Sequence, residues 1–295
     1  MARKTAADFD PELLILFNAY VHGAIDRRGF LDKAGRYAVG GVTAAMLLDQ
    51  LSPNFVEAQQ VAPDDTRLKT ERVSYPSAKG NEKTSGYLVR PANAAGKLPT
   101  VLVVHENRGL NPHIEDIARR LALENFMTFA PDALAAVGGY PGTEDKAREL
   151  FQTLDRAKTA EDMLAAANYA KARPDSSGKL GVVGFCWGGS TSHTLATKMP
   201  DLAAAVPFYG GAPAPAEAAN VKAALLVHLA ENDARVNDSH VPYEPALKEA
   251  GVRYEIHKYP GTGHGFNNDT TPRYDEKAAK LAWERTVAFF NKHLR

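Results

Sequence analysis

Val182-Val183-Gly184-Phe185-Cys186-Trp187-Gly188-Gly189 carries an apolar run into a Gly-x-Cys-x-Gly turn and out again into a helical pattern that reaches Lys198. Glycines flank the turn because nothing larger fits where a strand and the following helix bring their backbones together. Such a turn is a nucleophile elbow. It presents its central side chain, here Cys186, at a helix N-terminus, where the dipole and free N–H groups favour thiolate over thiol. The bland alternative is a small cysteine buried in a strand-to-helix turn, and the flanking sequence weighs against it.

Upstream and downstream of the elbow, short apolar runs at 71–75, 86–90, 100–104, 127–130, 180–184, 204–208, 224–229 and 253–259 read as strands. Helical patterns at 113–123, 144–172, 187–198, 239–250 and 277–293 fall between the later ones. A hairpin-like start followed by βα repeats specifies an α/β fold: a mostly parallel eight-stranded sheet with helices on both faces. Sites in such sheets lie beyond the carboxyl ends of the strands.

A hydrolase built on this elbow takes its acid and base later in the chain, each on a loop after a strand. Asp233, in Ala230-Glu231-Asn232-Asp233, follows the strand ending at Leu229, and His264, in Gly263-His264-Gly265-Phe266, follows the strand ending at Tyr259. Either residue alone is more often a turn or surface group, but the shared order is hard to obtain by accident. Glu231 competes with Asp233 and is two residues nearer the strand. Earlier, Val101-Leu102-Val103-Val104-His105-Glu106-Asn107-Arg108-Gly109 ends a buried strand where elbow hydrolases take a second oxyanion N–H. The backbone N–H groups of Asn107 and Trp187 are therefore the expected oxyanion donors.

Gly-Phe-Cys-Trp-Gly-Gly at the elbow, the later Asn-Asp, the Gly-His-Gly-Phe loop and the strand-terminal glutamate stand in the order and context of the dienelactone hydrolase family, which the chain resembles over about residues 80 to 290. The resemblance implies an α/β-hydrolase acting on small esters or lactones, with Cys186 as nucleophile, His264 as base and Asp233 as its orienting acid. It also implies that Glu106 holds the resting thiol until substrate displaces it. An arginine and a tyrosine that members use for the dienelactone carboxylate would fall near Glu144 and Arg148, so the match breaks there. Arg108, Arg148 and Tyr140 are the nearby residues left to meet an anionic group. The rival class is a non-catalytic or redox-sensing ligand-binding member of the fold; the intact acid and base weigh against it.

Composition agrees with a catalytic domain of this size. In 295 residues, 44% hydrophobic and 24% charged, there is enough apolar material for one large core. Thirty-five basic residues balance thirty-five acidic ones, so no basic field favours nucleic acid. No stretch reads as a membrane span. One cysteine excludes an internal disulfide and a cysteine-rich zinc site. His105, His113 and Glu106 fit no metal-binding spacing, and no phosphate-binding Gly-x-x-x-x-Gly-Lys occurs, so neither metal nor nucleotide cofactor is expected.

Residues 1–61 read as a helical arm ahead of a catalytic domain at 62–295. A helix is expected over 11–21 and a second apolar segment over 30–51. Arg27-Arg28-Gly29-Phe30-Leu31, the uncharged run 37–48 and Val56-Glu57-Ala58 resemble a twin-arginine export signal and its cleavage site. A retained arm and a cytoplasmic protein are favoured, with periplasmic export the alternative. The arm is also the segment through which copies could associate.

Overall fold

A computed structural model describes residues 4–295. The first helices are α1 (Pro11–Val21), α2 (Arg27–Ala34), α3 (Ala44–Leu51) and α4 (Phe55–Ala58). The strands β1 (Leu68–Val73), β2 (Gly86–Pro91) and β3 (Leu98–Val104) follow, then α5 (Pro112–Leu123) and β4 (Met127–Pro131). After α6 (Glu144–Gln152) and α7 (Arg156–Ala172) come β5 (Ser176–Phe185), α8 (Trp187–Lys198) and β6 (Ala204–Phe208). The chain closes with β7 (Ala224–Asn232), α9 (Ala234–Glu249), β8 (Tyr254–Gly263) and α10 (Glu276–Leu294).

All eight strands form one sheet in the order β1-β2-β4-β3-β5-β6-β7-β8. β1 and β2 pair antiparallel, as do β2 and β4, and the remaining pairs are parallel. Parallel central strands are covered on both faces, so their buried stretches, such as 101–104 and 180–185, are continuously apolar rather than alternating. Val101 and Val103 of β3 pack on the face carrying Ile114, Leu121 and Phe290. Leu102 and Val104, one residue out of phase, pack on the face carrying Met163, Leu195 and Leu247. The period-two alternation thus feeds two cores from one strand.

Two helical expectations divide. The segment 30–51 is broken at Gly40 and Gly41, whose φ of +63° and +84° leave the helical region, so α2 and α3 are separate. The segment 144–172 breaks before Asp155, whose side chain accepts from the N–H groups of Ala157 (2.9 Å) and Lys158 (3.1 Å) and starts α7 afresh. The arm has a small core of its own from Leu13, Phe17, Tyr20, Phe30, Leu48 and Leu51. Arg27 and Arg28 open α2, and Arg27 pairs with Asp145 at 2.8 Å.

β7 and β8 run further than their apolar stretches suggest, because a register shift after Ala230 lets pairing resume at Asn232 and Gly263. The residues that follow, Asp233 and His264, therefore leave neighbouring parallel strands side by side.

Candidate active site

Cys186 sits between β5 and α8 with φ 56° and ψ −111°, a conformation a non-glycine residue adopts only when its surroundings impose it. They do so through Cys186 N–H, which donates to Phe208 O (3.0 Å), and through Ser190 N–H, which donates to Cys186 O (3.2 Å) and starts the helix. The flanking glycines are sterically required. A Cβ on Gly184 would lie 2.0 Å from the Gly188 carbonyl oxygen, and one on Gly188 would lie 2.3 Å from Val104 O. The second contact also sets the end of β3, and hence the loop with Glu106 and Asn107, against the first turn of α8.

His264 Nδ1 donates to Asp233 Oδ2 at 2.5 Å, and both residues are buried. Glu231, the competing acid, is exposed and accepts from Gly261 N–H at 2.7 Å instead. The sulfur has a further neighbour that sequence reasoning missed. His22, at the C-terminal end of α1, places Nε2 3.5 Å from Cys186 Sγ and 3.2 Å from His264 Nε2. Its Nδ1 faces Asn18 O at 2.8 Å. A carbonyl oxygen only accepts, so His22 Nδ1 carries a proton, as the Asp233 carboxylate requires of His264 Nδ1. Both Nε2 atoms then turn lone pairs toward each other and toward the sulfur. One proton, the one the thiol gives up, has three acceptors around it.

Burial pushes the Cys186 thiol up, but the His264 imidazolium and the hydrogen-bond contacts with His22 and His264 outweigh it and bring it down to about 5. For His264, burial acts downward, and the Cys186 thiolate with the Asp233 hydrogen bond reverses it, raising the imidazole to about 9. Burial also opposes ionisation of Asp233, and the bond from His264 prevails and lowers it. The groups titrate as a set, with thiolate and imidazolium as the favoured pair.

Why His22 stands there follows from the last carbonyls of α1, which project beyond the helix: Tyr20 O accepts from Gly23 N–H at 3.0 Å, and both it and Val21 O accept from side chains of the catalytic domain. Arg148 Nη1 donates to Tyr20 O (3.1 Å) and its guanidinium lies 4.3 Å from the Tyr20 ring centre. Arg108 Nη2 (2.9 Å) and Asn107 Nδ2 (3.1 Å) donate to Val21 O. The two arginines that the sequence offered to an anionic substrate are only 5% and 6% exposed and hold the arm through these bonds. Tyr140, the third such residue, donates to Glu144 Oε1 at 2.9 Å. Arg148 still reaches the cavity; Tyr140 is not among its lining residues.

The Glu106 carboxylate accepts from Asn268 Nδ2 at 3.0 Å and is hydrogen bonded to Tyr209, whereas the hydrogen-bond partners of the sulfur are His22 and His264. Tyr209 is a second residue the sequence did not announce: its φ of +36° turns the ring to within 5.0 Å of the His264 ring centre. His105 accepts from Ala133 N–H (3.0 Å) and stacks on Trp187, and His113 pairs with Asp269, so neither joins Glu106 in a metal-binding group. Among the described residues, the group that does converge is His22, Cys186 and His264. Cys186 opens onto a cavity of about 480 Å³ shared with His22, Asn107, Trp187, Tyr209 and Arg235.

The sequence matches the model of the dienelactone hydrolase family over residues 84–294, and residues 1–39 match a second model, described as YqhI-like. A Salmonella typhi protein named "Putative carboxymethylenebutenolidase" is 32% identical over 221 residues, covering 70% of this chain and 82% of that protein. "Protein usf" of Aquifex pyrophilus is 34% identical over 232 residues, 73% of this chain and 96% of its own length. A crystal structure described as "Putative Dienelactone Hydrolase" from Klebsiella pneumoniae superposes with a TM-score of 0.68 at 32% identity, covering 76% of this chain and 98% of that one. With its elbow, its sheet and a family match spanning most of its length, the chain belongs to the dienelactone hydrolase family and is an α/β-hydrolase enzyme of that class.

Proposed function

We propose that the protein hydrolyses small carboxylic esters or lactones through an acyl-cysteine intermediate. The observation that carries this reading is the alignment of Cys186, His264 and Asp233 at the ends of β5, β8 and β7, with the 2.5 Å bond that fixes the His264 tautomer. In acylation, the Cys186 thiolate attacks the carbonyl carbon, and backbone N–H groups of Asn107 and Trp187 receive the oxyanion. Collapse breaks the acyl C–O bond while the His264 imidazolium gives its proton to the departing alkoxide. In deacylation, water gives a proton to His264 and adds to the thioester; the carboxylic acid leaves and sulfur recovers its starting state. Thiolate is a good leaving group as well as a nucleophile, so activated esters and strained lactones suit the site better than amides.

The cavity volume limits the substrate to a small molecule. Arg108 does not line the cavity, so an acidic substrate would be met instead by Arg148 and Arg235 at its wall. Glu106 bonds Asn268 and Tyr209, and His22 stands beside the sulfur.

Steady-state turnover of aryl acetates and small lactones by wild type, Cys186→Ala and Cys186→Ser tests the reading. Turnover should vanish in the alanine variant and fall steeply in the serine variant, since a hydroxyl ionises far less readily than a thiol. Wild-type turnover by a folded Cys186→Ala protein would refute it.

A further inference from the structure

We propose that His22, Cys186 and His264 form a three-ligand binding site for a d¹⁰ metal ion of the zinc type, with the fourth position open to the cavity. The donor set is one sulfur and two imidazole nitrogens, the combination that selects such ions over magnesium or calcium. Their donor atoms all lie within 4.8 Å of one another. A tetrahedral zinc with Zn–N about 2.05 Å and Zn–S about 2.3 Å separates two nitrogens by about 3.4 Å and a nitrogen from the sulfur by about 3.6 Å. The observed separations are 3.2 Å between the two Nε2 atoms and 3.5 Å between His22 Nε2 and Sγ, close to two edges of that tetrahedron, and the third, Sγ to His264 Nε2, lies within 4.8 Å.

The outer contacts point the same way. A ligating imidazole usually donates its other nitrogen to a carboxylate or a backbone carbonyl, which fixes the tautomer and aims the free lone pair at the metal. His264 does so to Asp233 at 2.5 Å and His22 to Asn18 O at 2.8 Å. The charges also balance, because the thiolate and the Asp233 carboxylate together offset a dication. Cys186 and His264 are buried, while the cavity leaves one direction for water or another small ligand. The site depends on tertiary docking, since His22 is separated from Cys186 by 164 residues and from His264 by 242.

Coordination uses the thiolate electron pair and the Nε2 lone pairs, and the proton they shared goes to solvent. Occupancy and acyl-cysteine turnover therefore exclude one another. The site does not require Cys186 to be a nucleophile; only the inhibition rests on the proposed function.

The test uses the full-length protein, freed of metal by chelator and dialysis and titrated first with Co²⁺, then with Zn²⁺ in competition. One equivalent of Co²⁺ should give visible bands of tetrahedral cobalt and a near-ultraviolet thiolate-to-cobalt band that is absent in Cys186→Ala. His22→Ala should weaken binding at least about 100-fold, the upper end of what loss of an outer-shell partner costs. His22→Gln, which keeps a polar group beside Asn18, should do the same and serves if the alanine variant does not fold. His257→Ala, on the body of β8, should bind as wild type does. No stoichiometric binding at low-micromolar metal, or His22 variants that bind like wild type, would overturn the site. Ester turnover followed in the same titration separates the two claims. Binding with proportional inhibition supports both, whereas binding with full turnover keeps the site and overturns the acyl-cysteine reading.

Discussion

Asp233→Asn is the substitution whose effect the geometry bounds most closely. The Asp233 carboxylate accepts from His264 Nδ1 at 2.5 Å in a buried setting, and the amide is nearly isosteric. An amide can turn its NH₂ toward Nδ1, which moves the imidazole proton to Nε2 and removes the lone pair that takes up the thiol proton. The upper bound comes from serine hydrolases, where this change costs ~10⁴ in rate, or about 5 kcal/mol. The lower bound is the loss of one charge-assisted hydrogen bond, about 1.5–3 kcal/mol, which corresponds to roughly 10- to 150-fold. His22 Nε2 lies 3.5 Å from the sulfur, with Nδ1 held by Asn18, and gives the sulfur a second imidazole neighbour. A cysteine site with two imidazoles should therefore fall between the bounds, at about 10²–10³ in kcat/KM. Glu231→Gln, which disturbs only an exposed contact to Gly261 N–H, should change it by no more than a few-fold. Initial rates on an aryl acetate, with thermal melts to confirm folding, make the comparison. Equal losses in the two variants, or a larger one at Glu231, would show that the 2.5 Å bond does not orient the base.

Two further expectations concern pH. The active form pairs a thiolate held near 5 with an imidazolium held near 9, so kcat/KM should rise through about pH 5, stay level, and fall through about pH 9. A single rise near the ordinary thiol value, ~8.5, in the rate of iodoacetamide labelling would contradict the ion pair. Asp269 is buried, which alone would raise it, but His113 and Arg120 prevail and hold it at about 2. Its folded value is thus below the unfolded ~3.9. The resulting stabilisation, about 2–3 kcal/mol, is present above pH 4 and lost as pH falls through about 2. Asp269→Asn should melt lower than wild type at pH 6, and the gap should close in acid; a gap independent of pH would disprove the linkage.

The elbow and the order of Cys186, Asp233 and His264 were legible because each depends on local signals: glycines that only a tight crossing requires, and polar residues directly after apolar strands. The eight-stranded sheet was legible for the same reason, since buried parallel strands show as short continuous apolar runs. His22 was not, because nothing near it in sequence indicates a partner 164 residues away. The available signal was only Gly23, which ends the helix at φ +76°, since the contact that fixes the His22 tautomer is to a backbone carbonyl that any residue at 18 would offer. Arg108 and Arg148 were read as groups for substrate because a buried arginine and a surface arginine look alike in sequence. What they bind, the carbonyl oxygens of Tyr20 and Val21, comes within reach only once α1 has docked. The break between α6 and α7 was readable in principle, since Asp155 is a good N-cap residue, but the helical period continues on both sides of it.

The central claim is that Cys186 becomes acylated during turnover. Acid quenching of the enzyme mixed with an activated ester whose acyl group leaves slowly, followed by intact-mass and peptide mass spectrometry, reads this directly. One added acyl group is expected, on the peptide containing Cys186, formed and lost at rates that reproduce kcat. Turnover with no adduct on Cys186, or with a stable adduct on another residue, would contradict it.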